Sequence, residues 1–217
     1  MRLYDYAASA NCYKARLLLA LLRREYVRIP VDIFAGDTLT AEYAALNPAR
    51  ETPILQLDDG TLLPQSHAIL WFLGEGTAFL PPNLLQRAQV VQWLLFEQEH
   101  VMTGIGGARF RILTGRDPDL IPSRLQLATS GLTMLEAQLR AAPFLVGDTC
   151  SIADIANFAY THVAGEAGLE LADHPAVGAW LERITELPGF VDDLIPYPDN
   201  ACLGSSRSIY DPPSALP

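Results

Sequence analysis

The chain has 217 residues, 50% of them apolar and 18% charged, with a mean hydropathy of +0.16. That excludes an intrinsically disordered chain and allows one large domain or two small ones sharing a core. Acids outnumber bases 25 to 15, a formal charge of −10 that argues against a general nucleic-acid or anionic-membrane binder.

Arg2 to Tyr6 reads as a short strand, Ala7 to Asn11 as a small-residue loop, and Cys12 to Arg24 as a helix with Ala15, Leu18, Leu19 and Leu22 at helical spacing. Tyr26 to Asp32 is a second strand, placed at a sheet edge by Pro30. After an irregular stretch, Thr40 to Asn47 makes a short helix that stops before Pro48. Ile54 to Leu57 and Thr61 to Leu63 flank Asp58-Asp59-Gly60 as a β-hairpin, and Ser66 then caps a helix running to about Glu75. The order βαβαββα predicts a small α/β domain over residues 1–75, a mixed sheet with helices on both faces. Residues 76–83, with Pro81-Pro82, read as a linker. Beyond it only helical periodicity is visible, over Leu84 to about Gly104, Pro122 to Arg140, Ser151 to Ala167 and Pro175 to Glu186. Residues 84–195 are therefore expected to be all-helical, and 196–217, rich in Pro and Ser, to form a tail laid on the surface or left mobile.

Three places in the first 75 residues can carry chemistry. The loop ending in Ser9, Asn11 and Cys12 precedes a helix, whose N-terminus presents unpaired N–H groups and stabilises an anion such as a thiolate. Ser9 offers a hydroxyl donor and Asn11 an amide donor there, although either can simply cap the helix. Thr52-Pro53 enters a strand; a cis bond would turn the Thr52 backbone outward to pair with an extended peptide, whereas a trans bond would only start an edge strand. Gln65-Ser66, at a helix start, can seat a carboxylate plus an amino group or act as a plain cap. Cys12, Cys150 and Cys202 are widely spaced and contain no CxxC pair, so neither a disulfide scaffold nor a metal site is expected. With no apolar signal region and no uncharged apolar run of about 18 residues, the sequence reads as a cytoplasmic protein with reduced thiols.

The stretches SANCYKARLLLALL at 9–22, ALNPARETPIL at 45–55, QSHAI at 65–69 and GDTCSIAD at 147–154 resemble, in this order, the soluble (cytosolic-type) glutathione S-transferases, serine-type or asparagine-type and bacterial-like. The resemblance implies a thioredoxin-like N-terminal domain followed by an all-helical C-terminal domain that binds the electrophile. It implies glutathione as co-substrate, no metal, and a homodimer. Ser9 would lower the thiol pKa, with Asn11 as its helper and rival. Thr52, before a cis-Pro53, would pair with the cysteinyl backbone, and Gln65 and Ser66 would hold the γ-glutamyl end. Arg50 and Glu51 fall in the glutathione-binding stretch. Where relatives carry a glycine followed by Lys, Arg or Gln, this chain has Arg50-Glu51, and a carboxylate there would repel the glycine carboxylate of glutathione unless Arg50 compensates. A thiol titrates near 8.5, so ionising it at neutral pH takes a drop of about 2 units, each requiring about 1.4 kcal/mol of preference for the anion.

In the helical part, Ser151 and Asp154 form a capping box, with a Cys150–Ile155 staple, whose role is folding. Trp93, Phe96, His100, Arg109 and Phe110 lie on or after the first long helix, the region that the resemblance gives to the electrophile pocket; Trp93 and Phe96 read as core, and His100 and Arg109 are the candidates for the pocket. Gly104, Gly106 and Gly107 suggest a bend or a close contact, a dimer contact being one explanation. The expected activity is conjugation of glutathione to a small hydrophobic electrophile. Alternatives are a glutathione-dependent isomerase or disulfide reductase, and a non-catalytic dimeric glutathione-binding module. Residues 1–75 hold nine acids and seven bases, so the acidity belongs mostly to the helical part and does not oppose binding of an anionic tripeptide.

Overall fold

The structure, a computed structural model, describes residues 1–211; positions 212–217 of the expected tail lie outside the described residues. Strand β1 (Arg2–Asp5) alternates outward and inward, with Leu3 and Asp5 buried. Helix α1 (Ala10–Leu21) starts at Ser9, whose Oγ accepts the Cys12 N–H at 3.3 Å. The run of leucines in α1 is apolar all round because the helix is covered all round, by α3 and by a helix of the second domain. Strand β2 (Val27–Pro30) pairs parallel with β1 and ends the sheet, where the missing N–H of Pro30 costs no ladder bond. Helix α2 (Ala41–Leu46) is capped by Thr40, which accepts from the Tyr43 N–H at 3.1 Å. Strands β3 (Ile54–Gln56) and β4 (Leu62–Pro64) form the hairpin, and β3 pairs antiparallel with β1 in the register Leu3↔Leu55. The sheet order is β2-β1-β3-β4, and the Thr52–Pro53 bond is cis.

Helix α3 (Ser66–Gly74) departs from expectation at its first turn. Ser66 is the first helical residue rather than the cap; Gln65 holds the cap position at φ +74° and makes no side-chain cap bond. A left-handed glutamine is a strained residue that the surrounding structure must hold.

After residues 76–83 the chain is helical: α4 (Leu84–Phe96), a π-helical stretch (Glu97–Gly106), α5 (Gly107–Thr114), α6 (Ile121–Ala141), α7 (Ile152–Thr161) and α8 (Pro175–Thr185). The α4–π–α5 run continues past Gly104, the expected end. The three glycines do not stop it because they serve close packing within the chain: a Cβ on Gly104 would sit 2.6 Å from the backbone nitrogen of Ala128 in α6, and one on Gly106 2.6 Å from the Tyr160 ring. The capping box of α7 is present, and Asp154 also accepts from the Leu145 N–H at 2.8 Å and the Trp180 indole at 3.0 Å.

The two parts share one core. Helix α1 packs on α7, and a methyl on Gly74 would lie 2.9 Å from Ile152. Arg16 binds Asp5 at 2.5 Å and Asp193 at 2.8 Å, while Arg28 also reaches Asp5. The Tyr13 hydroxyl donates to the Val191 carbonyl at 2.6 Å, so the segment after α8 is stitched to β1 and α1.

Candidate active site

Two adjoining cavities open where the loop before α1 meets the α4–π–α5 run. One, of about 410 Å³, is lined by Asn11, Glu51, Thr52, Pro53, Gln65, Ser66, Gln98, Met102 and Tyr210. The other, of about 420 Å³, adds Ser9, Tyr6 and Ile33 from the first domain, and Phe110, Arg111, Tyr160 and Tyr197. Asn11, Thr52, Met102 and Tyr210 belong to both, so they mark the junction. The first cavity is mainly polar in its side chains, and the second carries five aromatic rings, those of Tyr6, Phe110, Tyr160, Tyr197 and Tyr210.

At the junction, α1 supplies the N–H groups of its first turn, which have no intrahelical acceptor. Ser9 uses a lone pair to cap Cys12, which leaves its hydroxyl proton available to a second partner. The Asn11 Oδ1 accepts from the Lys14 ammonium at 2.9 Å. Lys14, the sole lysine, has no exposed surface and lies 2.8 Å from Oε1 of the equally buried Glu97; His67 Nε2 is 2.9 Å from Oε2 of the same carboxylate. Burial works against the Glu97 charge, but Lys14 and His67 outweigh it and hold the carboxyl below its ordinary range. Burial, together with Lys14, pushes His67 down, which keeps the ring neutral at pH 7.

Cys12 is fully buried beneath this loop, and burial, with the charge of Asp5, pushes its thiol up to about 12. It is a packing residue without nucleophilic character.

Glu51 lies at the rim. Its carbonyl accepts from the Tyr43 hydroxyl and the Asn47 amide, both at 3.0 Å, and its carboxylate accepts from Gln65 Nε2 at 3.2 Å. Among the described residues no cation lies within ion-pair distance of it. Arg50 does not supply one: with φ +58° its side chain turns away to donate to the Thr38 and Thr40 carbonyls at 2.8 and 3.2 Å. Arg50 lines neither cavity, a correction to the sequence reading.

The electrophile-pocket candidates fare similarly. His100 stacks on Phe96 at 4.9 Å and packs against Gly131 of α6, outside both cavities. Arg109 is buried behind the aromatic cavity, paired with Glu166 at 2.6 Å and lying 4.6 Å from the Tyr197 ring. The π-helical stretch presents Gln98 and Met102 to the cavities instead, and α5 presents Phe110 and Arg111.

The expected surface tail also differs. Between Pro196 and Asp211 it folds back over the site, with Ala201 and Ser208 fully buried and Tyr197 and Tyr210 on the cavities. Aromatic residues in an otherwise polar, proline-rich stretch were the signal for such docking. Met102, Arg111, Tyr160 and Gln98 carried no comparable local signal.

Residues 8–75 match the family described as "Glutathione S-transferase, N-terminal domain", and residues 124–188 the family described as "Glutathione S-transferase, C-terminal domain". A glutathione S-transferase structure from Pseudomonas fluorescens [Pf-5] is 41% identical and superposes with a TM-score of 0.86, covering 89% of this chain and 98% of that one. The disulfide-bond oxidoreductase YfcG of Escherichia coli (strain K12) is 30% identical over 94% of this chain and 97% of its own. A maleylacetoacetate isomerase of Pseudomonas aeruginosa is 28% identical over 88% of this chain and 93% of its own.

Proposed function

The chain belongs to the glutathione S-transferase family and is a glutathione transferase; on that premise we propose that it joins the glutathione thiolate to a small hydrophobic electrophile at the junction of its two cavities. The observation that carries the reading is that junction: a polar cavity sized for a peptide meets an aromatic one at Asn11 and Thr52. Glutathione would lie in the polar cavity, with its γ-glutamyl carboxylate on Ser66 and the first turn of α3, and its cysteinyl backbone on Thr52 beside Pro53. Ser9 and Asn11 would donate to the sulfur, and the N-terminus of α1 would favour its negative charge.

The thiol gives up its proton to solvent. The sulfur lone pair then forms a bond to the electrophilic carbon while the leaving group departs with its bonding pair. Hydrogen bonds to a charged acceptor contribute about 1.5–3 kcal/mol each, enough for a thiol pKa drop of one to two units. The aromatic wall of Phe110, Tyr160 and Tyr197 suits an apolar acceptor. Glu51 is assigned to the ammonium of the γ-glutamyl group rather than to the glycine carboxylate, because its carboxylate lies on Gln65. The working assembly is a cytoplasmic homodimer built from domains at 1–75 and 84–195.

Similarity to a disulfide-bond oxidoreductase supports a second reading, reduction of disulfides by bound glutathione. Cys12 is too deeply buried to take part, so that chemistry would pass through glutathione sulfur alone. Calorimetric titration with glutathione, followed by parallel assays with an activated aryl halide and with a small mixed disulfide, tests both. Turnover of the aryl halide is expected; binding with disulfide turnover only would favour the second reading, binding without any turnover would favour a binding module, and no binding would overturn all three.

A further inference from the structure

The Lys14–Glu97 ion pair has no exposed surface, yet each of its members touches a side chain that lines the glutathione cavity. Lys14 Nζ donates to Asn11 Oδ1 at 2.9 Å. Gln98 Nε2 donates to Glu97 Oε2 at 2.8 Å. An ammonium can only donate and a carboxylate can only accept, so the pair determines which end of each amide remains for the cavity. Asn11 must keep its NH2 free, and Gln98 its carbonyl oxygen. Without such partners an amide presents either end at similar cost.

We propose that this buried ion pair is a positioning device for two amides of opposite sense, Asn11 as a donor toward the thiolate of glutathione and Gln98 as an acceptor toward its γ-glutamyl ammonium. The inference rests on the functional reading above. The alternation matches the charges along the peptide, with a donor at the sulfur and an acceptor at the amino end, where Gln65 and Ser66 line the same cavity. The pair bridges α1 to the π-helical stretch, so the two amides come from different domains and are set relative to each other by one 2.8 Å contact. His67, 2.9 Å from Glu97 and 3.4 Å from Lys14, completes the enclosure together with the Tyr160 ring 5.3 Å from the ammonium. A buried charge pair is a poor source of net stability, since desolvation offsets its attraction, so its retention fits a role in orientation.

The test uses the full-length enzyme and reads the thiol pKa of bound glutathione from thiolate absorbance against pH, together with KM and kcat. In the double variant Lys14→Met/Glu97→Met, which leaves no unpaired buried charge, the bound thiol pKa is expected to rise by about one unit, with about threefold less thiolate at pH 7. Gln98→Leu, which leaves the ion pair intact, should raise KM for glutathione about three- to tenfold while leaving the thiol pKa unchanged. Asn11→Asp keeps an acceptor for Lys14 but has no donor, and it should raise the thiol pKa at least as much as Asn11→Ala; this variant decides the matter if the double variant fails to fold. A normal thiol pKa in Asn11→Asp, or a folded double variant with parental pKa and KM, overturns the inference. Failure of the unaltered protein to bind glutathione would overturn the functional reading, and this one with it.

Discussion

The carboxylate of Asp211 accepts from the guanidinium of Arg116 at 2.6 Å, across 95 residues of sequence, and both side chains are almost wholly buried. Ser206 also bonds to both partners, and the Ser208 N–H donates to Asp211 at 2.7 Å. This knot fixes Tyr210 over both cavities. Asp211→Ala should cost about 3 kcal/mol, the scale of breaking a buried pair, and should raise KM for the electrophile; an unchanged denaturation midpoint and unchanged KM would show the segment to be uncoupled from the site.

The same knot has a pH signature. Burial alone would raise the Asp211 carboxyl, but its bonds to Ser206, Arg116 and Ser208 outweigh it and hold it below its ordinary value of 3.8. A depressed folded pKa contributes stability that is complete above the unfolded value and disappears as pH falls through the folded one. Acid denaturation below about pH 4 should therefore be shallower in Asp211→Ala than in the parent, measured as midpoint against pH.

Ser9 and Asn11 are separable. Ser9→Ala loses both a donor to the sulfur and the cap on α1, so the bound thiol pKa should rise by one to two units and stability fall by about 1 kcal/mol. Asn11→Ala should raise the pKa by about one unit and cost about 1.5–3 kcal/mol of stability, because the buried Lys14 ammonium loses the Oδ1 acceptor. If only the Asn11 variant moves the thiol pKa, Ser9 is a cap and nothing more.

Cys12 should be silent. With its thiol pushed up to about 12 by burial and by Asp5, it is expected to resist iodoacetamide at pH 8 in the folded protein, while the exposed Cys202 is alkylated. Cys12→Ala should keep aryl-halide conjugation within about twofold of the parent if its contribution is packing alone; loss of conjugation in a stably folded variant would assign it a part in the chemistry.

Glu51→Gln should raise KM for glutathione about two- to fivefold, the modest scale of an exposed charge pair, and should leave KM unchanged for a glutathione analogue acylated on the γ-glutamyl nitrogen. A lower KM would instead mean that Glu51 repels the glycine carboxylate.

Leu84, Leu85, Val91 and Leu95 are exposed along α4, with Phe72 exposed on α3. Exposed apolar residues on neighbouring helices fit the homodimer proposed above. Sedimentation should give a dimer for the parent and a folded monomer for Leu95→Glu; a monomeric parent would remove the homodimer from the reading.

What the sequence disclosed was what is local. The hairpin around Asp58-Asp59-Gly60, the Thr40 helix start and the Ser151/Asp154 box are short-range hydrogen-bond patterns, and each is found where the residue order puts it. Ser9, Asn11, Thr52, Gln65 and Ser66 were visible because they punctuate the ends of elements, and the fold brings them to one pair of cavities. Of the aromatic wall only Phe110 fell in the region that the resemblance gives to the electrophile pocket; Tyr160, Tyr197 and Tyr210 were not visible, since these rings meet it only through tertiary packing. His100 was misplaced because the resemblance named a region and not a face, and His100 sits against Gly131 of α6 rather than on a cavity. Arg50 was misplaced because a positive φ turns its side chain off the line of its neighbours.

The enclosure of the chain's one lysine gives the protein a built-in gauge of its own breathing. An amine-directed reagent can reach the ε-amino group of Lys14 only when α1 and the π-helical stretch part, so the rate of its modification counts those openings. Any ligand that bridges the two elements must slow that rate by the factor 1 + [L]/Kd. Protection of a single amine, read by mass, would therefore report occupancy of the site without a chromogenic substrate and before the natural electrophile is known.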